Sequence, residues 1–314
     1  MPITIPPDQA KAALRALKTI AAASKGIDAT EAELLKAAAH ALQVTEPVDA
    51  LATITPEEAA KTIPDEKNRT RLVEGMILMA MMDQDIDAEE VKVIRRFAEV
   101  FGIDEPRVKN IAQFVQGDHV RLKLDVFRRS YFMNVAAVDA WKSGGFKGLW
   151  SAFAPRVGLA TDPELAWKYK QLGLLPEGTL GRAYWAHTTS RKLSLPGEAH
   201  GFPWQVVHDM GHVLGDYDTD PSGEIQQAAF EAGYMKRDPF FLVFATTMIF
   251  HMGFDVLGDD YIGHSKGQFE PAKVVRAYER GLACNVDLTS WDYWPHVGKN
   301  LDDLRKELGI PPKT

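Results

Sequence analysis

Apolar residues return at helical spacing through most of this 314-residue chain, and in one stretch the polar arc of the helix carries chemistry. Taken as a helix, residues 203–215 put Pro203, Val206, Val207, Met210 and Leu214 within about 100° of one another, on one apolar face. The opposite arc holds His208, Asp209 and His212. Downstream, Asp220-Pro221-Ser222-Gly223 reads as an N-cap with proline at the first helical position, which sets Glu224 in the first turn of the next helix. The short polar turn Gly215-Asp216-Tyr217-Asp218-Thr219 would fold the two helices face to face. A further helix is expected over Phe240–Phe254, capped by Asp238 with Pro239 first. This run is interrupted by Thr246, Thr247, His251 and Gly253 and falls short of the about 20 residues a membrane span needs, so it reads as a buried central helix. Its Phe240, Phe241, Phe244, Met248, Phe250 and Met252 are core residues or, alternatively, the lining of a lipid tunnel, and His251 stays open in the same way.

The first 130 residues contain a repeat. Ala22-Ala23-Ser24-Lys25-Gly26-Ile27-Asp28-Ala29-Thr30-Glu31 aligns with Met81-Met82-Asp83-Gln84-Asp85-Ile86-Asp87-Ala88-Glu89-Glu90, and helical apolar patterns flank both. Ile27 and Ile86 are expected to plug the core, Asp28 and Asp87 to cap the following helix, and Glu31 and Glu90 to complete a capping box. Asp83, Asp85, Asp87 and Glu90 do not make an EF-hand, because its glycine and glutamate positions fall on Ala88 and Ile94. Helix capping accounts for them. The repeat resembles the TerB-like family of tellurite-resistance proteins over roughly Lys11 to Phe114. The whole pattern predicts an all-α chain of two helical domains: a TerB-like bundle over residues 1–130 and a second helical domain over 131–314. Between them, Tyr131, Phe132, Trp141, Phe146, Trp150 and Phe153 are read as packing at the junction or as an interfacial segment with Lys142, Lys147 and Arg156 at lipid headgroups.

His208 and His212 stand at i and i+4, the spacing at which two imidazoles converge on one ion, and Glu224 can supply a third ligand from the facing helix. Asp209, at the edge of the same face, is a further ligand or orients His212 from behind. The plain alternative is a solvated polar face. Against it, unpaired His and Glu between two apolar helices are costly to bury. Nitrogen and oxygen donors without thiolate suit zinc first, with iron, manganese and cobalt as alternatives.

These residues resemble the Coq-four family of ubiquinone (coenzyme Q) biosynthesis, whose hallmark is His-Asp-x-x-His, eleven residues, then Glu. The likeness extends to Leu175-Pro176-Glu177-Gly178-Thr179-Leu180-Gly181-Arg182-Ala183-Tyr184, to Gly223-Glu224-Ile225 with Phe230-Glu231, and to Trp294 with Leu301, Leu304, Arg305, Glu307, Leu308 and Gly309. It covers about residues 160–310, and the charged Lys236-Arg237-Asp238 turn departs from it. The resemblance implies a peripheral, helical protein that holds a metal through His208, Asp209, His212 and Glu224 and acts on a prenylated aromatic or other lipid substrate by oxidative decarboxylation. Asp209 and Arg182 are the expected catalytic residues, Arg182 as the partner of an anionic substrate group. Two other readings stand beside it: a non-catalytic lipid-binding scaffold that recruits partners of a biosynthetic complex, and a metallohydrolase that would draw on His187 or His200 with Asp255.

Composition narrows the partners. A formal net charge of −7, spread over both halves, argues against nucleic acid. Cys284 is the only cysteine, so no disulfide forms within the chain and a reducing, cytoplasmic compartment is expected, with membrane association as the alternative. Residues 1–19 lack the unbroken apolar stretch of a secretory signal.

Overall fold

The computed structural model describes residues 5–129, 161–201, 205–256 and 265–313. Pro203 and the aromatic segment at 130–155 lie outside them. Among the described residues the chain forms fourteen α-helices, short 3-10 turns, no strand and two isolated bridges, which is the all-α class the periodicity predicts. No described helix is long and apolar enough to cross a membrane.

The N-terminal helices are α1 (Pro7–Ala21), α2 (Ala29–Ala41), α3 (Pro56–Thr62), α4 (Glu66–Ala80), α5 (Ala88–Phe101), α6 (Pro106–Val115) and α7 (His119–Arg129). The two copies of the repeat are α1–turn–α2 and α4–turn–α5. Both capping boxes form: Asp28 accepts from the Glu31 amide at 2.7 Å while Glu31 accepts from the Asp28 amide at 2.8 Å, and Asp87 and Glu90 do the same for α5. The acidic turn residues are thus spent on backbone amides, Asp83 included, which accepts from the Asp85 amide at 2.9 Å. Ile86 plugs the core as expected, but Ile27 is 38% exposed. The two turns interlock through polar groups, Ser24 donating to Glu90 and Lys25 pairing with Asp85, and this leaves Ile27 at the rim.

The C-terminal helices are α8 (Pro163–Gln171), α9 (Leu180–Ser190), α10 (Gln205–Gly215), α11 (Pro221–Tyr234), α12 (Phe240–Phe250), α13 (Pro271–Ala283) and α14 (Leu301–Glu307). Helix α11 lies in the middle, packed by α10, α12 and α13. Its crossing with α13 is close because Gly281 has no side chain: a Cβ there would stand 2.0 Å from the Phe230 carbonyl oxygen. Every residue of α12 is buried, Thr246 and Thr247 included, as expected of a central helix. Its start differs from expectation. Pro239 is the N-cap and no side chain caps the helix, because the Asp238 carboxylate turns away to pair with the buried Arg107 of α6.

That ion pair crosses between the halves, and it is not alone. His251, at the end of α12, donates from Nε2 to the Met82 carbonyl at 2.9 Å and accepts at Nδ1 from the Phe269 amide at 3.1 Å, which fixes it as a buried, neutral imidazole. Helix α13 packs against α2, and one continuous apolar core includes residues of both halves.

Candidate metal centre

Helix α10 carries His208 and His212 one turn apart, and its far end is tied down by two arginines. Arg305 of α14 donates to the carbonyls of Val213 (2.8 Å) and Leu214 (3.0 Å), and Arg280 of α13 to that of Gly215 (2.7 Å). The last carbonyls of a helix have no intrahelical partner, and two cations here satisfy three of them while complementing the helix dipole. Across the Asp216–Thr219 turn, α11 begins as expected: Asp220 accepts from the Gly223 amide at 2.6 Å, Pro221 is the first helical residue, and Glu224 lies in the first turn.

The structure brings His208, His212 and Glu224 together, one ligand atom from each within 4.8 Å of the others. The two imidazole Nε2 atoms are 3.1 Å apart, His208 Nε2 is 3.3 Å from Glu224 Oε2, and His212 Nε2 is 3.5 Å from Glu224 Oε1. A tetrahedral ion with bonds of about 2.0–2.1 Å spaces its ligands about 3.3 Å apart. The imidazole nitrogens and the carboxylate are thus spaced close to such an edge, with one Glu224 oxygen facing each imidazole.

The outer nitrogens settle which atoms face inward. His208 donates from Nδ1 to Glu231 Oε1 at 2.9 Å, and His212 donates from Nδ1 to the Tyr217 carbonyl at 3.0 Å. Both Nε2 lone pairs then point at each other and at a carboxylate, an arrangement that needs a cation or a shared proton between them. Burial works against a charge on His208, yet Glu231 and Glu224 together hold its proton well above the ordinary imidazole range. For Glu224, burial is outweighed by the two imidazoles beside it, which depress its carboxyl far below the usual value. The site demands positive charge. His212 forms its floor with a side chain 1% exposed, while His208 and Glu224, at 21% and 20%, reach toward solvent.

Asp209 is not part of the triad. It is buried, and burial together with Glu224 and Glu231 pushes its carboxyl up to about 6 against the pull of the two histidines. It does not orient His212, since the Tyr217 carbonyl already takes that Nδ1. Arg182 is occupied elsewhere: its guanidinium donates to the Gly173 carbonyl and lies 4.6 Å from the centroid of the Trp185 ring, clamping the turn before α9 to that helix. Of the residues considered for a hydrolase, Asp255 faces Lys123 at 3.6 Å and His187 approaches the centre.

Three residues of the site went unread or nearly so. Glu231 falls seven residues after Glu224, on the same face of α11, and that spacing could have marked it as the buried carboxylate behind a histidine. It also accepts from Gln227 at 3.1 Å. Gly211 lets α11 approach: a Cβ there would meet Gln227 Nε2 at 2.1 Å and Glu231 Oε1 at 3.3 Å. His187 lies with its ring 5.4 Å from that of His212, and its Nε2 is buried without a partner among the described residues. Burial and the neighbouring His212 push its pKa down to about 3, so it is a neutral imidazole.

No curated protein matches the chain. Among solved structures, a crystal structure from Nostoc punctiforme PCC 73102 of a protein named "putative ubiquinone biosynthesis protein" is similar at 19% identity and a TM-score of 0.36, over 65% of this chain and 95% of that one. The family model described as Tellurite resistance protein TerB matches residues 48–113, which take in α3 to α5, most of α6 and the second copy of the repeat. Residues 48–113 are thus a TerB domain, while the first copy of the repeat, α1 and α2, precedes the match.

Proposed function

We propose that this protein is a metal-dependent enzyme of the Coq-four type, acting on a prenylated or otherwise lipophilic aromatic acid in quinone biosynthesis. One observation carries the reading: among the described residues the site gathers two imidazoles and one carboxylate, and not a fourth side chain. Structural zinc sites close with four protein ligands, whereas a His₂Glu set with a remaining position is the pattern of catalytic ones. The same donors accept iron, manganese or cobalt.

An ion held by His208, His212 and Glu224 supplies a Lewis acid for a phenolate or carboxylate oxygen of the substrate. The protein's own contributions are positional. Glu231 and the Tyr217 carbonyl fix both imidazoles with Nε2 inward, so no rearrangement is needed at the moment of binding. His187 adds an unused hydrogen-bonding nitrogen beside the centre. In this reading the ring carbon would lose CO₂ and gain a hydroxyl while O₂, the two-electron oxidant, and water are consumed and H₂O₂ is released. Arg182 is not placed at the centre in this reading, because its Nη1 donates to the Gly173 carbonyl and its guanidinium lies over the Trp185 ring.

A metallohydrolase is the second reading, favoured by one feature. Asp209 occupies the place of the glutamate in His-Glu-x-x-His, where that residue is the general base. A scaffold with a structural ion is the third.

Elemental analysis of protein purified without chelators, beside His208→Ala and His212→Ala, tests the site: one ion per chain is expected, lost in both variants. Undiminished metal in both would remove the centre. With the ion present, release of CO₂ from a prenylated hydroxybenzoate under O₂ supports the decarboxylase. Ester or phosphate cleavage instead would support the hydrolase, and neither activity would leave the scaffold.

A further inference from the structure

Away from the metal triad, the two halves leave a cavity of about 680 Å³ between them. Leu17, Leu34 and Leu78 of the N-terminal helices form one wall, and Phe240, Val243 and Val274 of α12 and α13 form the other. Protein interiors are close-packed, with few voids larger than a water molecule. Ligand sites, by contrast, occupy about 300–1,000 Å³ and pair an apolar lining with a few placed polar groups. This cavity belongs to the second kind.

Its polar groups are gathered rather than scattered. Arg71 and Glu74 stand one turn apart on α4, and Tyr278 of α13 lines the same cavity. The side chains of Arg71 and Glu74 make no hydrogen bond or ion pair with another described residue. Gln9, on the same lining, buries an Oε1 that has no partner among the described residues. Lys67 and Lys236 are exposed lining residues and mark the mouth. Three cations therefore face a single carboxyl. Burial, with Glu105 and Asp238 nearby, pushes that carboxyl up to about 8, so Glu74 is protonated at neutral pH and offers an O–H instead of a charge. The unspent charge of the cavity is positive.

We propose that this cavity binds a single-chain anionic amphiphile, of which a long-chain carboxylate is the simplest member. The chain lies between the Leu34 and Phe240 walls, and the carboxylate takes the guanidinium of Arg71 with hydrogen bonds from Tyr278 and Glu74. None of His208, Asp209, His212 and Glu224 lines the cavity, so this site does not depend on the metal reading. It does depend on both halves of the chain, since each supplies one wall, and that gives the TerB-containing half a part in holding the ligand.

The test is a fluorescence titration of delipidated full-length protein with cis-parinarate, followed by displacement with palmitate, hexadecanol and hexadecylamine. One saturable site per chain is expected, from which palmitate displaces the probe at least tenfold better than the alcohol or the amine. Arg71→Met should weaken the probe at least tenfold while the melting temperature and metal content hold. Filling the cavity from either wall, by Ala38→Phe or Ala232→Leu, should abolish binding in whichever variant remains folded. Absence of a saturable site overturns the proposal. So does binding that Arg71→Met leaves unchanged, or displacement by hexadecanol as strong as that by palmitate.

Discussion

Glu231 sits behind His208, its Oε1 2.9 Å from the Nδ1 that donates to it, and so decides which nitrogen of that ring faces Glu224. A carboxylate in this position both orients an imidazole and makes it a better donor to a metal, and removing such a partner typically costs 10–100-fold in metal affinity. Glu231→Gln retains the shape and an acceptor but not the charge. Its affinity for zinc, measured by competition with a chromogenic chelator, is expected to fall by about tenfold or more with the helical content unchanged. An unaltered affinity would mean that Glu231 is there for packing alone.

Gly211 reports on the same packing from the other helix. A methyl group at that position would stand 2.1 Å from Gln227 Nε2, the far end of a flexible side chain, and 3.3 Å from the oxygen of Glu231. Gly211→Ala should therefore destabilise the fold by about 1–3 kcal/mol, the usual range for overpacking, and loosen the ion at once. Gly211→Ala with Gln227→Ala should recover most of the stability, since the group that gives way is gone. Thermal melting and metal content of the two proteins decide it: no recovery in the double variant would place the clash elsewhere.

What the sequence made legible is what depends on local spacing. His208 and His212 at i and i+4, the Asp220-Pro221 helix start that places Glu224, and the two capping boxes all follow from rules within a few residues of chain. What it hid depends on neighbours brought from afar. Tyr217 reads as part of a polar turn, yet it is 5% exposed because Arg280, distant in sequence, donates to its hydroxyl at 2.5 Å. Asp238 looks like a cap for α12 and is instead the partner of Arg107 on α6. Arg182 looks like an anion binder, and its Nη1 donates to a turn nine residues back. In each case the residue type announced a polar role correctly, and only tertiary structure could say toward what.

The capping-box glutamates predict a pH dependence. Glu31 and Glu90 are 3% and 1% exposed, and burial, reinforced by Asp83, pushes each carboxyl up to about 7 from 4.5. A carboxyl whose folded pKa is raised favours the folded state when protonated. Its contribution is complete below the unfolded value and is lost as pH rises through about 7. The melting temperature of chelator-treated protein should accordingly fall between pH 5 and pH 8. The double variant Glu31→Gln, Glu90→Gln keeps both side-chain acceptors and should show a shallower slope. An equal slope in the two proteins would mean that other groups, such as Glu74, carry the dependence.

Every group that shapes the metal centre belongs to the C-terminal half: the ligands on α10 and α11, Glu231 behind His208, the Tyr217 carbonyl, and the arginines 280 and 305 that hold the end of α10. A fragment of residues 131–314 is therefore expected to retain the ion. It should also be less stable than the full chain. Without the N-terminal helices, Asp238 loses Arg107, His251 loses the Met82 carbonyl, and the face of α13 that packs on α2 meets water. Breaking a buried ion pair by removing one partner alone typically costs about 3–5 kcal/mol, though the 31% exposure of Asp238 places this one toward the low end. Elemental analysis and thermal melting of the fragment beside the intact protein give both readings. A folded fragment devoid of metal would show that the N-terminal helices hold α10 and α11 in register, and the centre would then belong to the whole chain.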